Sequence, residues 1–68
     1  MTYEDYEELT KEIKGFPVAG TNENGERVMI DHYGGDEPYF KVTTFQNNDW
    51  IRILHVYKNG NIDEIYER

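Results

Sequence analysis

The apolar residues of this chain change their period once, and the change falls at Gly15-Phe16-Pro17. Before it, Tyr6, Leu9, Thr10 and Ile13 recur every three or four positions and form one stripe of a helix. After it, apolar and polar residues alternate at period two, as they do along half-buried strands. A helix with one apolar stripe and a sheet with one apolar face must bury those surfaces against each other. The pattern therefore predicts an α+β fold, one N-terminal helix packed on an antiparallel meander of four or five strands.

Local signals set the boundaries. Thr2 is a suitable N-cap for a helix over 2–14, and Glu4 and Asp5 put negative charge where the helix dipole favours it. Lys14 closes the last turn, Gly15 suits the left-handed position after it, and Pro17 stops continuation. The strands are expected at Phe16–Gly20, Glu26–Tyr33, Tyr39–Phe45, Trp50–Tyr57 and Asn61–Tyr66. Pro17 argues that the first is an edge, and the apolar Trp50–Tyr57 is expected at the centre. Asn59-Gly60 carries a hairpin signal. No linker or repeat interrupts residues 1–68, which read as a single domain.

Alternation selects Phe40, Val42, Ile51, Ile53 and Ile62 for the face against the helix, with Val28 and Ile30 as further candidates. It leaves Met29, Tyr33, Tyr39, Lys41, Phe45, Trp50, Arg52 and Leu54 on the opposite face. In a two-layer fold that face should be polar. Aromatics mixed with Met and Arg resemble an interface instead, unless these residues cover one another.

Fourteen acids against seven bases give the 68 residues a net charge of −7. Glu4, Glu8 and Glu12 recur at every fourth position, roughly 6 Å apart along a helix. Like charges at that spacing cost a helix stability, and only Glu7–Lys11 is a helpful pair. The row is either a solubilising face or an imitation of nucleic-acid phosphates that attracts a basic groove. Scattered bases among so many acids make no footprint for direct nucleic-acid binding.

Catalysis is not expected. The chain has no Cys and no Ser, and Gly34-Gly35 lacks the helix and lysine of a phosphate loop. His32 and His55 fall on different predicted strands with no metal-ligand spacing, so neither metal nor cofactor is expected. The acidic start, Met1-Thr2-Tyr3-Glu4-Asp5, is unlike a basic signal-peptide start, and a cytoplasmic location in a host cell is expected.

The stretch from Asp49-Trp50-Ile51-Arg52-Ile53 through Tyr57-Lys58-Asn59-Gly60 to Asp63-Glu64-Ile65-Tyr66-Glu67 resembles small acidic proteins of phages and mobile elements in Gram-positive bacteria. In size and acidity the whole chain is similar to anti-CRISPR inhibitors. That resemblance implies a non-catalytic inhibitor of a nucleic-acid-handling protein, such as an RNA-guided CRISPR nuclease, bound through its basic nucleic-acid-binding surface. The residues expected to contact that partner are Glu4, Glu8, Glu12, Tyr39, Trp50 and Arg52. The alternative is a structural module that forms a homodimer through its sheet face.

Overall fold

The computed structural model describes residues 1–12 and 15–68. Its order is α1 (Tyr3–Thr10), β1 (Val18–Thr21), β2 (Arg27–Tyr33), β3 (Tyr39–Gln46), β4 (Asp49–Tyr57) and β5 (Ile62–Glu67). The five strands form one antiparallel sheet in sequence order, the expected α+β meander. β3 is its middle strand; the more apolar β4 lies one place towards the edge.

Thr2 caps α1 in a capping box. Its hydroxyl accepts from the Asp5 amide, and the Asp5 carboxylate accepts from the Thr2 amide at 2.8 Å. The helix stops at Thr10, shorter than expected, and Gly15 takes the left-handed φ of 103°. The expected roles of Ile13 and Lys14 lie outside the described residues. The buried stripe is also rotated: Tyr3 and Thr10 are buried and Tyr6 half-buried, whereas Leu9 is 56% exposed. Tyr3 sets that rotation. Its ring lies 4.8 Å from Phe40 and its hydroxyl shares a 2.9 Å hydrogen bond with His32 Nε2. Thr10 can be buried because its hydroxyl donates to the Tyr6 carbonyl at 2.8 Å.

Turn chemistry fixes the register. Asn47 and Asn48 both have positive φ, 53° and 70°, and form the two-residue connection beneath the Gln46–Asp49 pair. The turns at Asn22–Glu26 and Tyr57–Asn61 share another geometry, with Gly25 and Gly60 at φ 80° and 99° before the closing residue.

The core lies between α1 and the face bearing Ile30, Phe40, Val42 and Val56, with Val18, Val28 and Leu54 packed around it. Phe40, Val42, Val28 and Ile30 are where alternation puts them. β4 is not. Thr44 pairs with Arg52 but Phe45 pairs with Trp50, so Ile51 is one residue too many: a bulge. Beyond it every β4 side chain changes face. Leu54 and Val56 therefore face the helix, while Ile53 lies on the opposite face beside Thr43, and Ile51 is the unpaired residue. Ile62 pairs with Val56 on the helix side yet is 53% exposed, because α1 packs over β2 and β3 and leaves β5 uncovered.

Candidate functional site

The helix covers one side of the sheet, and no described element covers the other. Cross-strand partners share a face, so the register assembles this open surface row by row. One end carries Arg27, Phe45 and Trp50. Next come Met29, Thr43, Ile53 and Tyr66, then Asp31, Lys41, His55 and Asp63, and at the far end Tyr33, Tyr39 and Tyr57. Tyr57 and Tyr66 join the face through bulges or turns that alternation alone does not register.

The two aromatic ends behave differently. Tyr39 is stacked between Tyr33, at 5.2 Å and 21°, and His55, at 4.4 Å and 26°, with Tyr57 tilted 5.2 Å away. Its ring faces are already occupied. Trp50 stacks on no aromatic ring among the described residues and is 58% exposed. Met29 and Tyr66 beside it are 38% and 41% exposed. The contiguous apolar patch is thus Met29, Phe45, Trp50, Ile53 and Tyr66, flanked by a shallow cleft where Arg68 approaches Asp49 at 3.6 Å.

The charges of this face balance, Arg27 and Lys41 against Asp31 and Asp63, although the chain carries −7. Partial burial and then Lys41 hold the His55 imidazole below its ordinary pKa of 6.5, against the pull of Asp63. The Tyr57 hydroxyl, 3.5 Å from His55 Nδ1, is pushed up by desolvation and by the carboxylates of Asp63 and Glu37.

The expected contact residues divide between two sides. Tyr39 and Trp50 share the open face, but six residues of β3 separate their rows, roughly 20 Å. Arg52 does not join them. The Ile51 bulge turns it to the helix side, between Thr44 and Glu67. Glu4 and Glu8 are exposed on α1, while Glu12 lies beyond its end, so the row of three is not one helical stripe. Lys11 pairs with Glu8 at 2.7 Å rather than with Glu7. The molecule is 18 Å thick, so the helix acids and the aromatic patch cannot meet one flat partner together.

Among the described residues, no three or more His, Asp or Glu side chains are grouped to hold a metal ion. No described helix is long and apolar enough to cross a membrane. No family model matches the chain, and no curated protein or solved structure matches it either.

Proposed function

We propose that the protein is a non-catalytic, phage-type inhibitor that binds a nucleic-acid-handling protein, such as an RNA-guided nuclease, in the cytoplasm of a host cell. The observation that carries this reading is the distribution of charge. Fourteen acids decorate 68 residues, yet among the described residues only Glu8 and Asp49 are ion-paired. Glu4, Glu7, Glu8 and Glu12 project from the helical side, which is the surface a basic nucleic-acid-binding groove would meet. The open sheet face is charge-balanced and contributes little to such steering.

Affinity capture from bacterial lysate tests the reading, with the parent compared to the Glu4→Gln, Glu8→Gln, Glu12→Gln triple variant at low and high salt. The parent should retain nucleic-acid-binding proteins, and both the triple variant and high salt should release them. Retention of the same proteins by parent and variant at both salt concentrations contradicts the proposal.

A further inference from the structure

We infer that the open face of the sheet is a self-association surface, on which a second copy of this chain packs in a two-fold symmetric dimer. Three observations select a second copy as the occupant. The first is charge. In a chain of −7, another copy is repelled from most of the surface, but the open face carries two acids and two bases and no net charge. Its central row runs Asp31, Lys41, His55 and Asp63, so a second copy set one strand out of step places Asp31 of each copy against Lys41 of the other.

The second is size. The protein measures 34 × 25 × 18 Å. Its broadest outline bounds a flat face at on the order of 800 Å², about what each partner gives to a standard protein–protein interface. The third is composition. Met29, Phe45, Trp50, Ile53 and Tyr66 are contiguous, and Trp50 at 58% exposure stacks on no other aromatic ring among the described residues. Aromatic and Met side chains of this kind form the centres of interfaces.

The edge of β5 is the competing surface for a copy, and it is guarded. Asp63, Glu64 and Glu67 would bring like charges together along a paired edge, and Ile65 is the extra residue of a bulge opposite Ile53 and Leu54. Face-to-face packing stacks the two sheets at about 10 Å and gives the layer order helix, sheet, sheet, helix. Both acidic helices then point outward, so each dimer offers two equivalent acidic surfaces. This arrangement does not depend on the identity of any partner for those helices.

Sedimentation equilibrium over a concentration series tests it, with the parent, Trp50→Glu, Met29→Lys and the helix triple Gln variant. The parent should reach twice its 8.1 kDa mass. Trp50→Glu and Met29→Lys should each weaken the dimer roughly thirty-fold or more, the effect of losing an interface hot spot. The helix variant should dimerise like the parent, which separates this test from that of partner binding. Both face positions are exposed, so circular dichroism should show the variants folded; if one unfolds, the other carries the test. A parent that remains monomeric at ~1 mM overturns the inference. So does a dimer whose affinity neither face variant changes.

Discussion

Phe40 and Ile53 separate the two faces of the sheet at the scale of single residues. Phe40 is 2% exposed and touches Tyr3, Tyr6 and His32. Phe40→Ala should cost about 3–5 kcal/mol, enough to unfold much of so small a domain. Alternation gives Ile53 the same importance, but it lies half-buried on the open face. In dilute, monomeric protein Ile53→Ala should cost only ~1 kcal/mol. Urea melts of the two variants check the difference, and equal losses would reverse the face assignment. His55 supplies a pH test. Its pKa is depressed in the fold, so the unfolded chain binds a proton more readily. Stability should be complete well above pH 6.5 and fall as the pH drops through 6.5 towards the lower folded value. The capping Asp5, whose pKa is lowered from 3.8, acts only in more acid solution. His55→Gln should flatten the melting temperature between about pH 7.5 and 5, a range set by the ordinary His pKa.

Each element rests on a few chemical choices, and α1 is the one most dependent on its cap. Eight residues are too few to hold a helix in water without tertiary packing. Removing the Thr2 hydroxyl breaks one half of the capping box, so Thr2→Ala should cost about 1 kcal/mol. A thermal melt should show a drop of roughly 4–8 °C; no change would mean that packing of Tyr3 alone fixes the helix. The strands and their order were legible because Gly25, Gly60 and the Asn47-Asn48 pair stand where turns need left-handed backbone. The β4 bulge was not. A tight turn at Asn47-Asn48 without a bulge pairs Thr44 with Ile51, which sends Ile51 and Ile53 inward. That register would also carry His55 and Tyr57 towards the helix side and expose Leu54 and Val56. One extra residue at Ile51 removes the conflict, and the contrast between Leu54-Val56 and His55-Tyr57 is the trace it leaves in the sequence. The helix stripe departs from the period at Leu9 for a different reason. Leu9 fits the period, but Tyr3 brings both ring contact and a hydrogen bond to the sheet.

Across the whole molecule, α1 and its acids lie on one side of the sheet and the patch around Trp50 on the other, while Leu9 and Ile62 are exposed on the helix side. Sequence periodicity identified Trp50 as surface-facing, but the bulge that separates it from Arg52 needs three-dimensional register to be seen. The unbalanced acids repel one another, so screening should stabilise the fold. The Debye length falls from ~30 Å at 0.01 M salt to ~10 Å at 0.1 M, and the melting temperature should rise over that interval. A fall would show that attractive ion pairs dominate instead. The division of surfaces makes its sharpest demand on the open face. The direct measurement is an isotope-filtered nuclear Overhauser experiment on an equal mixture of labelled and unlabelled protein, which records only contacts between copies. Cross-peaks should join the methyl groups of Met29 and Ile53 in one copy to aromatic protons of Phe45, Trp50 or Tyr66 in the other. Intermolecular cross-peaks from Ile62 and Ile65 on the β5 edge, or none at ~1 mM protein, a concentration at which even weak complexes form, would contradict the account.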